Sequence, residues 1–117
     1  MWRVLFYQTS SGREPAREFL RDRPKEDRAK VGALLTELQS GQRMGMPYAR
    51  YLGKKLWELR VIGKEGHIRV IYFTPTRECI YILHGFIKKT AKMPEKDWLL
   101  AMARKRNIEK SEGQHEK

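Results

Sequence analysis

A chain of 117 residues has the length of one domain and can bury one hydrophobic core. Its 25 Lys and Arg against 14 Asp and Glu give a formal net charge of +11, a balance that points to a polyanionic partner such as nucleic acid. The lone cysteine, Cys79, excludes an internal disulfide and reads as a buried thiol, and no stretch is apolar enough to span a bilayer or ordered like a signal peptide, so a cytoplasmic protein without membrane association is expected.

Trp2, Val4 and Phe6 alternate with Arg3, Leu5 and Tyr7, which predicts a short strand over residues 2–8, followed by a turn at Thr9-Ser10-Ser11-Gly12. A helix is predicted over 14–21, with Pro15 in its first turn, Phe19 and Leu20 as its buried pair and Pro24 ending it. A second helix over 25–40 carries Val31, Leu34, Leu35 and Leu38 on one stripe, and Gly41 sits where a C-terminal cap belongs. Residues 42–55 are too rich in Gly, Pro and charge to continue a helix and read as a long basic loop. There Arg43, Arg50, Lys54 and Lys55 are interleaved with Tyr48 and Tyr51, a mix that could hold phosphates and stack on bases.

Residues 56–89 read as a three-stranded meander. Closing the first hairpin at Gly63-Lys64-Glu65-Gly66 places Arg60 opposite Arg69 and Ile62 opposite His67. Closing the second at Thr74-Pro75-Thr76-Arg77 places His67 opposite His84 and Arg69 opposite Ile82. Trp57, Leu59, Val61, Ile68, Val70, Tyr72, Cys79, Tyr81 and Leu83 then share an apolar core face, while Glu58, Arg60, His67, Arg69 and His84 share the other, with Phe86 and Lys88 leaving on that side. Two arginines opposed across a ladder repel, a cost understandable at a site that receives an anion. After the meander, Pro94 starts a last helix over 95–107 in which Trp98, Ala101, Met102 and Lys105 form a stripe, Trp98 and Met102 packing on the sheet. The polar stretch 109–117 is expected to be disordered, leaving one domain over 1–108. The predicted fold class is α+β: an antiparallel sheet with two N-terminal helices on its apolar face, a C-terminal helix, and an opposite face left open and basic.

No nucleotide-binding glycine motif, zinc pattern or nucleophile elbow is present, and the carboxylates are too scattered for a two-metal site, so neither a metal nor another cofactor is expected. Cations around imidazoles suffice for RNA cleavage: a base takes the 2′-hydroxyl proton, cations stabilise charge on phosphorus, and an acid protonates the departing 5′ oxygen. Arg60 and Arg69 suit the phosphate, and His67, His84 and Glu58 are candidates for proton transfer.

LWELR at Leu56 to Arg60, IRVIY at Ile68 to Tyr72 and LHGFIKKT at Leu83 to Thr90, with Pro15, Glu18, Phe19 and Leu20, GMPY at Gly45 to Tyr48 and Met93-Pro94, closely resemble the HigB-like, phage-derived branch of the RelE toxin superfamily. The resemblance covers nearly all of the chain before its polar tail. It implies a RelE-type fold and a type II toxin: an endoribonuclease that cuts mRNA on the ribosome and is silenced by a helix-turn-helix, HigA-like antitoxin, through which alone it would reach operator DNA. By position, Arg69 matches the arginine that contacts the scissile phosphate in RelE-like toxins and Arg60 the arginine ending the preceding strand. Lys54 and Lys55 match basic residues before that strand, and Lys88 and Lys89 the basic end of the last one. Ile68 stands where many relatives have tyrosine, and the C-terminal tyrosine of the best-known member has no counterpart in residues 104–117, so His84, Glu58 and Tyr72 all stay open as acid or base.

The expected catalytic set is Arg60, Arg69, His84, Lys88 and Glu58, with Lys54, Lys55, Lys89, His67 and Arg50 as RNA-binding residues. Two other readings compete: a non-catalytic RNA- or ribosome-binding module of the same fold, favoured by the missing tyrosine, and a subunit that binds only protein. Phosphate contacts would weaken steeply with salt, whereas a purely protein-binding subunit would show no RNA affinity.

Overall fold

The computed structural model describes residues 2–41, 45–76 and 78–115. Its elements in chain order are β1 (Arg3–Phe6), α1 (Pro15–Arg21), α2 (Lys25–Gln39), β2 (Ala49–Gly53), β3 (Leu56–Gly63), β4 (Gly66–Thr76), β5 (Cys79–Lys88) and α3 (Glu95–His115). The strands form one sheet in the order β1-β5-β4-β3-β2. The class is α+β as expected, but the sheet is mixed: β1 runs parallel to β5, Arg3 beside Cys79 and Phe6 beside Ile82. Two helices separate β1 from the rest of the sheet, and they return the chain to the opposite edge.

Pro15 enters α1 where its missing N–H costs nothing, and Pro24 ends the link to α2. Gly41 follows α2 at φ +84, the left-handed conformation expected of the residue after a helix. Both helices pack on one sheet face, where Leu59, Val61, Ile68, Val70, Tyr72, Ile80 and Ile82 are buried against Ala16, Val31 and Leu38. Burying each large aliphatic side chain contributes roughly 1.5–3 kcal/mol, so this face anchors the fold.

The second face is not open, contrary to expectation. Leu56, Ile71, Phe73, Leu83 and Phe86 are buried there with Ala101 and Ile108 of α3, and Trp98 and Met102 pack against them. The stripe that does this is Asp97, Ala101, Arg104 and Ile108, spaced at i, i+4, i+7 and i+11. α3 also runs on past 107 to His115, through the polar stretch expected to be disordered, with Lys105 and Glu109 an ion pair one turn apart. Residues 116–117 lie outside the described residues. No described helix is long and apolar enough to cross a membrane.

Two further expectations are corrected. The loop over 42–55 contains a strand, since β2 pairs with β3 through Ala49–Leu59, Arg50–Glu58 and Tyr51–Trp57; Arg43 lies outside the described residues. The register of the second hairpin also differs: His67 is opposite Lys88, Arg69 opposite Phe86 and Ile71 opposite His84. β4 runs on through Pro75 to Thr76, because β3 pairs no further than Phe73 and the proline there forfeits no β3–β4 ladder bond. A bulge then falls where Ile71–His84 is followed by Tyr72–Ile82, so Leu83 is an extra residue in β5. Tyr81 and Leu83 therefore belong to the α3 face rather than the face expected, and Cys79 is only partly buried. The first hairpin has the predicted register, with Arg60 opposite Arg69 and Ile62 opposite His67.

Candidate nucleic-acid interface

Residues directly paired across a ladder share a face, so the three registers build the α3-side surface row by row. Arg50, Glu58, Ile71 and His84 form one row across β2 to β5. Arg60, Arg69 and Phe86 form the next, and Ile62, His67 and Lys88 the third. Rows lie roughly 6.7 Å apart along the strands. The buried cluster beneath α3 reaches the first row through Ile71 and the second through Phe86, and beside Phe86 in that row lie Arg69, buried, and Arg60, partly exposed.

Arg60 and Arg69 converge on one carboxylate. Glu58 Oε1 lies 3.7 Å from Arg60 Nε and 3.8 Å from Arg69 Nε. Arg60 remains partly exposed and its Nη1 donates to Met46 Sδ at 3.0 Å, whereas Arg69 is only 5 % exposed and its Nη1 donates to the Ile68 carbonyl at 3.1 Å. Burial pulls the Arg69 pKa below its ordinary value; Glu58 opposes this and Arg60 adds to it. A guanidinium begins so high that it stays charged. Glu58 is buried to 1 % exposure, and its Oε2 and Arg69 Nε have no hydrogen-bond partner among the described residues. Two cations held against one anion leave net positive charge facing the second and third rows.

His84 is engaged at both ring nitrogens. Its Nε2 lies 2.6 Å from Asp97 Oδ1 and its Nδ1 3.5 Å from Arg104 Nη1. Burial holds its pKa below the ordinary histidine value, outweighing the Asp97 carboxylate, with Arg104 and Lys96 acting in the same direction as burial. Arg104 Nη1 also donates at 2.8 Å to the Leu83 carbonyl, which the bulge has put out of step with the ladder. His84, Asp97 and Arg104 thus fasten α3 to β5. Tyr72 lies on the opposite face beside Trp57, away from the arginine pair, and burial pushes its hydroxyl pKa up to about 12. Of the groups considered for proton transfer, His67 alone is exposed, two residues along β4 from Arg69 and opposite Lys88.

The other expected binding residues divide. Arg50 is exposed at the β2 edge of the first row, and Lys89 is exposed just past the end of β5, next to Lys88. Lys54 and Lys55 form the β2–β3 turn with φ of 56° and 65°, both left-handed, at the far end of β3. They stand roughly 15–20 Å along the strand from Arg60 and do not join its cluster. Sequence reasoning missed Asp97 and Arg104, although they lie one turn either side of Ala101 on the buried stripe of α3, which was the available signal. It also missed Lys30 of α2, whose Nζ donates to the Ile62 carbonyl at 3.0 Å.

Beside the arginine pair is a cavity of about 550 Å³, bounded by Ala33 and Leu34 of α2, by Pro47 and Tyr48, and by Arg60, Ile62, His67 and Arg69. Among the described residues no group of three or more His, Cys, Asp or Glu could hold a metal ion.

No curated protein matches the chain. The model of the family described as phage derived protein Gp49-like matches residues 18–106, a span that takes in the second half of α1, all of α2, the strands β2 to β5 and most of α3, and with them every row of the basic face. The chain therefore belongs to the phage-derived Gp49-like protein family.

Proposed function

We propose that this protein is a RelE/HigB-like toxin of a type II toxin–antitoxin system, an endoribonuclease that cuts mRNA on the ribosome and is held inactive by a helix-turn-helix, HigA-like antitoxin. The observation that carries the reading is the direct opposition of Arg60 and Arg69 on the face away from α1 and α2. Guanidinium groups grip phosphate oxygens through paired donors, and two of them converging from neighbouring strands can clamp one phosphodiester. Membership of a phage-derived family and the resemblance in LWELR, IRVIY and LHGFIKKT agree with it.

In the reaction, the 2′-oxygen forms a bond to phosphorus as its proton leaves to a base, and the bond from phosphorus to the 5′-oxygen breaks as that oxygen takes up a proton. The products are a 2′,3′-cyclic phosphate and a 5′-hydroxyl. Arg60, Arg69 and Lys88 stabilise the charge that builds on the phosphoryl oxygens. His67 is the proton-transfer group with access to solvent, and His84 acts through the packing of α3.

Inducing the protein should arrest translation and create new mRNA 5′ ends within codons, and Arg69→Ala should abolish both while leaving a cooperative unfolding transition. Undiminished toxicity of that variant would remove the role given to Arg69. A second reading, RNA or ribosome binding without cleavage, is favoured by the burial of Arg69 and by the engagement of both His84 nitrogens. Growth arrest with no new 5′ ends would select it.

A further inference from the structure

The geometry points to a nucleobase slot at the free edge of β3, next to the arginine pair, in which one unstacked base of single-stranded RNA lies against the ring of Tyr48. It rests on the RNA reading above and adds a base-binding element to it.

The slot exists because β2 is shorter than β3. Strand pairing ends at Ala49–Leu59, and one further bond, from the Arg60 N–H to the Tyr48 carbonyl at 2.8 Å, fixes Tyr48 beside the ladder. In strand geometry the N–H of Ile62 points the same way as that of Arg60, into the groove. The Ile62 carbonyl on that edge takes the Lys30 ammonium at 3.0 Å, which ties the far rim to α2. Between these two fixed points lies the cavity of about 550 Å³, within the roughly 300–1,000 Å³ usual for small-ligand pockets.

Its walls are of two kinds. Tyr48 and Ile62 are large apolar side chains left 57 % and 72 % exposed, and with Pro47, Ala33 and Leu34 they make an apolar slot. Lys30, Arg60, His67 and Arg69 border the same space. A bare phosphate has no use for the apolar walls, and an aliphatic side chain of a partner protein has no use for the ring of cations. A nucleotide uses both: its flat base stacks on the tyrosine while its phosphate reaches the guanidinium groups. The slot opens only beyond residue 60 of β3, so the stacked base would adjoin the phosphate held by Arg60 rather than one at the Lys54–Lys55 end.

The test uses the full chain and a short single-stranded oligoribonucleotide carrying 2-aminopurine, with a second set in which an abasic site is scanned along the same oligomer. Binding should change the 2-aminopurine fluorescence and weaken with salt. Tyr48→Ala should weaken binding about ten-fold, in line with the loss of one stacked base, and Tyr48→Phe should not. Ala33→Trp, which fills the slot from an exposed helix position, should cause a similar loss. The abasic oligomer that costs the parent most should cost Tyr48→Ala nothing further, because both remove the same contact. If Tyr48→Ala and Ala33→Trp bind the oligomer as tightly as the parent, with the salt dependence intact, the slot is not a base site and the RNA reading stands without it. A free mononucleotide binding as tightly as the oligomer would also overturn the proposal, by making the slot a small-molecule site. Absence of RNA binding at every salt concentration would overturn the function itself.

Discussion

Arg60 and Arg69 face each other across the β3–β4 ladder, and both guanidinium groups lean on one buried carboxylate, Glu58, at 3.7 and 3.8 Å. Directly opposed like charges destabilise a sheet, and Glu58 offsets that repulsion. The carboxylate is thus a buried counter-ion for the pair.

Glu58→Gln should therefore lower stability by about 3–5 kcal/mol, the usual cost of removing one partner from a buried charge cluster. Glu58→Gln combined with Arg69→Met should recover much of that loss but should not cleave RNA. Denaturant melts of the two variants and the parent measure this, and equal stability of Glu58→Gln and the parent would contradict the counter-ion role.

His67→Gln should cut the cleavage rate about 10²–10⁴-fold with little change in the unfolding midpoint, since the side chain is exposed and proton transfer contributes on that scale. A variant that cleaves as fast as the parent would pass the role to another group.

Stability should fall as the pH drops below about 6.5. The His84 pKa is lowered in the folded chain by burial, so between the folded and unfolded pKa values the unfolded state binds more protons and gains. The contribution is complete above the unfolded value and is lost progressively as pH falls towards the folded one. Thermal melts from pH 7.5 to 5 on the parent and on His84→Gln should show a slope in this window for the parent and a flatter curve for the variant.

Gly85→Ala should destabilise the fold by about 1–3 kcal/mol. A Cβ at Gly85 would stand 2.5 Å from Cδ2 of Phe19, forcing α1 away from β5. Phe19→Leu in the same chain should restore part of the loss, and a double-mutant cycle in denaturant gives the coupling. Additive effects would place the strain elsewhere.

The first hairpin was legible because Gly63 and Gly66 flank a short turn between two cleanly alternating strands, which set the Arg60–Arg69 pair correctly. The second was not, because Pro75 reads as a breaker when it sits inside a strand end, and no pattern in the run from Cys79 to Lys88 announces an extra residue at Leu83. The cover over the second face was missed for a different reason. α3 mixes charged and apolar residues, and those that seat it include Asp97 and Arg104, whose polar bonds to β5 no hydrophobic count registers. His84 shared the basic face as expected, yet only the three-dimensional contacts reveal that its ring is already occupied.

The extra residue at Leu83 makes chain length in β5 matter more than side-chain identity. Removing one residue there would invert residues 79–82, sending Ile80 and Ile82 towards α3 and Tyr81 towards α2, and β1, which runs alongside that half of the strand, would lose its own alignment. A conservative replacement such as Leu83→Met would be absorbed, while a one-residue deletion would unseat both layers at once.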